Sequence, residues 1–266
     1  MPKFSILIPC YNCAMTLPDT LASCLRQEFD DFEVVLVDDC SKENIVDIYN
    51  DFLPLFTERR IRLTYHRNEV NSGVSFSRNL AWDQATGEYI CFLDSDDVWH
   101  ASKLQIINHI LSGATFDCMC HLYTDKKEQF SGARRLSDYL PQQLSQLALL
   151  LKNPSQTSCF VLRRSIAERF DTAMSFCEDY DLWLRISNAH RIFLLSGMPL
   201  TLLSRPQHTP GGLSASRVKM RLGEMASYLN LAKRNSKFKV LFPLLVFYSA
   251  LKHVRSELRF LKNHSK

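Results

Sequence analysis

Three carboxylates fall within four residues in Asp94-Ser95-Asp96-Asp97, directly after the apolar run Tyr89-Ile90-Cys91-Phe92-Leu93. Like charges this close raise one another's pKa and repel unless a cation joins them, and an oxygen-rich ligand set suits Mg²⁺ or Mn²⁺. The same residues also fit a plainer role as an acidic turn capping the next helix, because Asp is a favoured cap. Eight glycines occur, the first at Gly73, so neither a Walker A loop nor a G-x-G-x-x-G turn can follow the first strand. A diphosphate would instead need a metal at Asp94 and Asp96 with a cation such as Arg78, in Asn71-Ser72-Gly73-Val74-Ser75-Phe76-Ser77-Arg78-Asn79. Taken alone, Arg78 fits a surface helix position equally well.

The elements that must position these residues alternate over the first 125 residues. Short apolar runs at 4–8, 32–37, 61–65, 89–93 and 116–122 read as strands, separated by helical stretches near 16–27, 43–56, 75–84 and 102–111. Repeated right-handed crossovers predict an α/β fold with a mostly parallel central sheet and helices on both faces, its ligands at the carboxyl ends of the strands. Pro9-Cys10-Tyr11-Asn12 follows the first strand, Asp38-Asp39-Cys40-Ser41 the second and Asp94-Ser95-Asp96-Asp97 the fourth. Parallel strands would bring all three to one sheet edge. Residues 126–137 are polar and aperiodic and read as a loop or connector. Beyond them come a Leu-rich helix at 139–151, a strand near 157–162, a helix at 178–189, strands near 192–195 and 200–203, and two terminal helices.

With 266 residues the chain can build a sizeable core. The first apolar stretch, 4–8, is too short for a signal-peptide core and ends at Pro9, so the protein is expected in the cytoplasm. Nine cysteines, an odd number scattered through apparent core elements, fit reduced thiols. Cys10/Cys13 and Cys118/Cys120 lack a second pair at zinc-finger spacing and read as small apolar residues. From Ser216 onward there are 12 Lys/Arg against two Glu, leaving 20 against 26 before it, so a net charge of +4 divides into an acidic body and a strongly basic tail. Such asymmetry calls for an anionic surface.

Five segments in register resemble family 2 glycosyltransferases with the GT-A fold. Residues 4–12 are similar to that family's opening strand and Pro-x-Tyr-Asn turn, and Val37-Asp38-Asp39-Cys40-Ser41 to its Val-Asp-Asp-Gly-Ser turn. Residues 71–79 resemble Asn-x-Gly-x-Ser-x-Ala-Arg-Asn, and 87–97 the strand leading into Asp-x-Asp. Glu178-Asp179-Tyr180-Asp181-Leu182-Trp183-Leu184-Arg185 resembles the block that carries the base. The likeness runs from about residue 3 to 215.

The resemblance implies a role for each matched position. Pro9 and Tyr11 would meet the nucleotide, Tyr11 against its base; Asp39 would accept the base's imide N–H; Asp94 and Ser95 would approach the ribose; and Asp96 would bind the Mg²⁺ or Mn²⁺ bridging the diphosphate. Arg78 would stabilise charge on the leaving diphosphate, and Asp179 would be the general base of an inverting transfer, facing the same crevice as Asp96. Ser204-Arg205-Pro206-Gln207-His208-Thr209-Pro210-Gly211-Gly212-Leu213-Ser214 resembles a late loop in which His208 would ligate the metal or touch the diphosphate. Asp39 and Asp179 also fit plain turn or helix-cap positions. Cys40 departs from the family's Gly, which requires the turn to avoid positive φ there, and Phe76-Ser77 stands where smaller residues are commoner. Two other classes remain: a haloacid-dehalogenase-type phosphohydrolase with Asp94 as nucleophile, and a non-catalytic nucleotide-binding module. A calcium loop is excluded, since Trp99 stands where Gly is needed.

The expected division is a GT-A catalytic domain at 1–215, its nucleotide half at about 1–125 and acceptor half at about 126–215, followed by a basic amphipathic segment at 216–266. Leu244, Phe247, Leu251, Val254, Leu258 and Leu261 recur at alternating spacings of three and four, with Lys252, Arg255, Arg259 and Lys262 among them. The apolar run 240–251 is 12 residues long and contains Pro243, short of the ~20 that span a bilayer. Lying on the inner face of the cytoplasmic membrane is the preferred reading. Packing on the catalytic domain and pairing with a second copy in a homodimer are the alternatives. Nucleic acid is not expected, because no reading motif accompanies the charge. By resemblance, the donor is a UDP-hexose or UDP-N-acetylhexosamine, and the acceptor a glycan or lipid-linked glycan in bacterial O-antigen, capsule or lipopolysaccharide assembly.

Overall fold

The computed structural model describes residues 1–205 and 216–264, the side chains of the second stretch through residue 258. Strands β1 (Phe4–Cys10), β2 (Phe32–Asp38), β3 (Arg62–Arg67) and β4 (Tyr89–Phe92) alternate with helices α1 (Leu17–Leu25), α2 (Ile45–Glu58) and α3 (Val74–Gln84). After β5 (Val98–Trp99) and α4 (Lys103–Gly113) come β6 (Cys118–His121), β7 (Tyr123–Thr124), α5 (Lys127–Phe130), β8 (Pro141–Gln143), α6 (Gln146–Leu151) and β9 (Phe160–Arg163). The chain continues through α7 (Glu178–Ile186), β10 (Ile192–Leu195), β11 (Thr201–Leu202), α8 (Arg217–Arg234) and α9 (Ser236–His264).

Eight strands form one sheet in the order β3-β2-β1-β4-β9-β6-β10-β8. β1 pairs in parallel with β2 and β4, β2 with β3, and β6 with β10, whereas β9 runs antiparallel between β4 and β6 and β8 antiparallel at the edge. Every residue of β1, β2 and β4 is buried, because both faces are covered. Alternate residues feed two cores: Leu7, Val35, Val37, Ile90 and Phe92 one, and Ile6, Ile8, Val34, Leu36 and Cys91 the other. The chain winds from β1 through β2 to β3 and then returns to β1's other side with β4. That reversal makes the carboxyl ends of β1 and β4 a topological switch point, where such sheets open a crevice.

A three-stranded sheet, β5-β11-β7, sits beyond β4 and braces the acidic turn. β5 follows that turn directly and pairs antiparallel with β11. Gly87, just before β4, lies so close to β1 that an added Cβ would come within 2.6 Å of Ser5 Oγ and 2.8 Å of the Phe4 carbonyl carbon.

Two local expectations are corrected. The stretch 139–151 is not one helix: Pro141 lies in β8, paired with Leu195, and α6 begins only after Ser145, whose Oγ accepts from Ala148 N–H. The Leu-rich composition hid a break that Pro and a Ser cap enforce. Residues 126–137 are not simply a loop, since they hold α5 and the start of a 3₁₀ turn at Leu136–Asp138. All nine cysteines are free and eight are buried.

Candidate functional site

The site assembles from the turns after β1, β2 and β4. In the first, Asn12 takes φ 48°, a left-handed conformation that Asn tolerates. Its N–H donates to Ser41 Oγ and its Oδ1 accepts from Lys42 N–H, both at 2.9 Å, which ties the first turn to the second. In the second turn the adjacent carboxylates divide their duties. Asp38 is wholly buried, accepting from Ser41 N–H at 2.9 Å, Tyr65 OH at 2.9 Å and Arg67 Nη1 at 2.5 Å, and so serves the scaffold. Asp39 faces the cleft. Its Oδ1 accepts from Asn68 Nδ2 at 2.7 Å and Ser72 N–H at 2.8 Å, and its Oδ2 from Gly73 N–H at 2.8 Å. A carboxylate accepts about four hydrogen bonds, so these three orient it and leave a position for a donor in the cleft.

Gly73 sits at φ 88° and opens α3; nothing lies within 4 Å of an added Cβ, so its backbone angle rather than space demands glycine. Cys40 overturns an expectation. Its φ is 57°, left-handed, in the place where the sequence reading required the turn to avoid positive φ. The cost for a side-chain-bearing residue is about 1–2 kcal/mol. The bonds fixing Asp38, Asp39 and Ser41 on either side hold it there.

The third turn is pinned by hydroxyls. Thr16 Oγ1 donates to Ser95 O at 2.9 Å, Thr20 Oγ1 to Asp97 O at 2.9 Å, and Ser158 Oγ to Asp97 Oδ2 at 2.6 Å, while Ser158 Oγ also accepts from Asp94 N–H at 3.0 Å. Asp97 is thus turned inward, and burial, Asp94 and Asp96 push its pKa well up. Behind it Lys103 is fully buried, its Nζ donating to Ser158 O at 2.9 Å and lying 3.2 Å from the Trp99 ring centroid. Burial brings that ammonium down to about 7.

The resulting cleft measures about 710 Å³, within the ordinary range for a ligand site. Its wall takes in Pro9, Tyr11, Asp39, Arg78, Asp94, Ser95 and Asp96. Tyr11 is 48% exposed, its ring open to a ligand. Cys10 and Cys13, set aside on sequence as small apolar residues, also line the wall, and the Cys10 thiol's hydrogen bond lowers the pKa of Cys13.

Arg78 is buried and bridges two elements, donating from Nη2 to Asp94 Oδ1 at 2.7 Å and from Nη1 to Glu178 Oε1 at 3.1 Å. Burial alone would favour the neutral guanidine, but Asp94 and Glu178 outweigh it and hold the cation. Asp179, next to Glu178 in the first turn of α7, is absent from the cleft wall and connects to it through this bridge. Its Oδ2 accepts from Asn153 Nδ2 at 3.0 Å and its Oδ1 from Tyr180 N–H at 2.7 Å. Burial first, and the neighbouring Glu178 second, raise Asp179 to about 6, against the pull of Arg78. Asp181 and Arg185 of the same block pair with each other at 2.7 Å, and Trp183 stacks on Phe160 with centroids 3.6 Å apart, so these three build α7's seat.

Among the described residues no group of three or more His, Cys, Asp or Glu is poised around one point. Asp94 and Asp96 nevertheless suit Mg²⁺ or Mn²⁺, since such ions are held by one or two carboxylates plus substrate phosphate oxygens. Burial and then Asp94 push the Asp96 pKa up, the mark of a carboxylate short of positive charge, and among the described residues its ion-pair partner is Arg205 Nη2 at 3.7 Å. His208 lies outside the described residues. Sequence reading missed Ser158 and Asn68, whose single polar side chains carry no motif, and it named Arg205 within the late loop without giving it a role. Glu178 stood beside a recognised Asp but had no role until Arg78 reached it.

Known proteins share this chain's pattern. It is 38% identical to the putative teichuronic acid biosynthesis glycosyltransferase TuaG of Bacillus subtilis over 39% of this chain and 40% of that one. It is 31% identical to the UDP-Glc:alpha-D-GlcNAc-diphosphoundecaprenol beta-1,3-glucosyltransferase WfgD of Escherichia coli over 71% of each chain. The alignments thus span from about two fifths to about seven tenths of these relatives' lengths. S. aureus TarS 1-349 in complex with UDP-GlcNAc superposes with a TM-score of 0.68 at 21% identity, covering 86% of this chain and 66% of TarS 1-349, and the shared fold is GT-A. The family model for glycosyl transferase family 2 matches residues 5–170, which include all three turns of the cleft and Arg78. Since that stretch is more than half of 266 residues, the chain belongs to glycosyl transferase family 2.

Proposed function

We propose that this protein is an inverting glycosyltransferase that moves a hexose or N-acetylhexosamine from a UDP donor to a lipid-linked glycan in bacterial surface-polysaccharide assembly. The observation that carries the reading is one cleft that gathers Tyr11, Asp39, Asp94, Ser95 and Asp96 and is joined by Arg78 to the helix bearing Asp179. Tyr11 offers a face to the base, and the free acceptor position on Asp39 takes the uracil imide N–H. Asp94 and Ser95 meet the ribose. Asp96, with Asp94 beside it, would hold Mg²⁺ or Mn²⁺, which supplies positive charge to the diphosphate when bound.

Asp179 takes the proton of the acceptor hydroxyl as that oxygen forms its bond to the anomeric carbon, while the bond from that carbon to the diphosphate oxygen breaks on the opposite face. Configuration therefore inverts. With a pKa of about 6, Asp179 is mostly ionised at pH 7 yet basic enough to accept a proton. Arg78 adds a fixed cation near the leaving group without reorganising. A UDP-sugar donor agrees with the names of WfgD and of the TarS complex, and a lipid-linked acceptor with that of WfgD. Residues 1–215 act as the catalytic domain and 216–266 as its accessory segment, at the inner face of the cytoplasmic membrane. Family membership removes support from the phosphohydrolase alternative for Asp94.

A thermal-shift panel of nucleoside diphosphates, each with Mn²⁺ or with chelator, tests the proposal. UDP with Mn²⁺ should stabilise the protein most, and Asp96→Ala should abolish the metal-dependent part. Indifference to every nucleotide would overturn it.

A further inference from the structure

The two C-terminal helices pack by one side and leave another bare. α8 is bolted to α7: Gly223 lies against Phe176, Ser227 Oγ donates to Cys177 O, and Asn230 Nδ2 donates to Asp181 Oδ1 at 3.1 Å. Tyr228, Leu231 and Ala232 of α8 enter the same core as Trp183, as do Phe238 and Leu245 of α9. α9 is fastened to α8 through the buried Glu224, which accepts from Ser249 Oγ at 2.6 Å and pairs with Lys252 and Arg221.

The side of α9 opposite these contacts carries Val240, Leu244, Phe247, Leu251, Val254 and Leu258, each between 51% and 80% exposed. At about 100° per residue these six fall within an arc of roughly 80°, and the packed residues Phe238, Phe242, Leu245 and Ser249 fall on the far side. α8 repeats the pattern on a smaller scale with exposed Val218, Leu222 and Leu229. So continuous an apolar stripe marks a partner surface. Lys237 and Arg255 are exposed on one shoulder of the α9 stripe, and Lys233, Arg234 and Lys239 are exposed around the α8–α9 junction. Among the described residues no helix is long and apolar enough to cross a membrane.

We infer that the outer side of the α8–α9 hairpin docks on an anionic lipid surface, its apolar stripe at the acyl boundary and its cations among the headgroups. This rests on the proposed lipid-linked acceptor for its purpose, though not for its physics. The alternating spacing of three and four would also suit a seam with a second copy. Charge decides against that: the segment from Ser216 carries 12 Lys/Arg and two Glu, and both glutamates are already paired, Glu224 with Lys252 and Glu257 with Arg217. Two such segments would face each other with like charge, whereas phosphate headgroups complement it. Because α8 contacts α7 directly, the docked surface and the helix of the proposed base form one packed unit, which sets the height of Asp179 above the lipid.

Flotation of the full chain with vesicles of phosphatidylcholine alone, or with added phosphatidylglycerol, tests this. The protein should float with the anionic vesicles and be released by salt, and Phe247→Glu/Leu251→Glu should reduce flotation at least tenfold while keeping its UDP thermal shift. No flotation on anionic vesicles, or equal flotation of the variant, would refute the inference. So would a concentration-dependent dimer in sedimentation equilibrium that the double variant converts to monomer. Flotation needs no donor, so a protein that floats yet ignores every nucleotide would defeat the functional proposal and leave the lipid dock standing.

Discussion

Asp179→Asn should abolish sugar transfer and at the same time stabilise the protein, and the two effects have one cause. The folded structure raises Asp179 from 3.8 to about 6. Between those values the native state binds more protons than the unfolded chain, so stability falls as pH rises through the window. At about 1.36 kcal/mol per pKa unit, ionised Asp179 costs the native state up to about 3 kcal/mol at pH 7. Asn never ionises and escapes that cost. It forfeits about 0.3–1 kcal/mol of favourable interaction with the N-terminus of α7, and solvent at the partly exposed carboxylate screens some of the remainder. A net gain of about 1–2 kcal/mol follows. With an unfolding entropy of about 0.55 kcal/mol/K for a chain of this length, that is about 2–4 °C in Tm. Thermal melts of both proteins from pH 4 to 8 provide the assay: the gain should be near zero at pH 4, grow to pH 6 and then level off. A variant that keeps its activity would refute the role of Asp179 as base. A Tm gain that ignores pH would refute the electrostatic reasoning even if activity vanished.

Other consequences can be measured alongside. The kcat/KM of the native enzyme should fall on the acid side with a midpoint near pH 6, and Glu178→Gln, which removes the like charge raising Asp179, should move that limb down by roughly half a unit to one unit. Lys103, brought down to about 7 by burial, binds fewer protons folded than unfolded above that pH. Native stability should therefore rise by about 2 kcal/mol from pH 7 to 9 in urea titrations, and Lys103→Met should lose that rise. Gly223→Ala would place a methyl 2.5 Å from Phe176 O and should cost about 1–3 kcal/mol in the same titrations. Thiol alkylation at Cys13, in the cleft wall with a lowered pKa, should be slowed by UDP with Mn²⁺, followed by mass spectrometry of the labelled peptide.

Much of the cleft edge was legible because its information is local. Apolar runs at strand length, each ended by Pro-Cys-Tyr-Asn, Asp-Asp-Cys-Ser or Asp-Ser-Asp-Asp, imply parallel strands whose turns share an edge, and Pro9, Tyr11, Asp39, Arg78, Asp94, Ser95 and Asp96 do line one cleft. The exposed stripe of α9 was equally legible, since helical periodicity assigns faces without reference to the rest of the chain. Tertiary packing decided what periodicity cannot contain. It inserted β9 between β4 and β6, so that Ser158 could bond both the Asp94 amide and the Asp97 carboxylate from 61 residues away or more. It separated Asp38 from Asp39, identical in type and adjacent in sequence, by supplying Tyr65 and Arg67 to one and the Ser72 and Gly73 amides to the other. It joined Arg78 to Glu178 across 100 positions, and so set the electrostatic environment of Asp179. Residue type and spacing determine which groups are available for chemistry, whereas their charge states depend on burial and on partners distant in sequence, which exist only once the chain has folded.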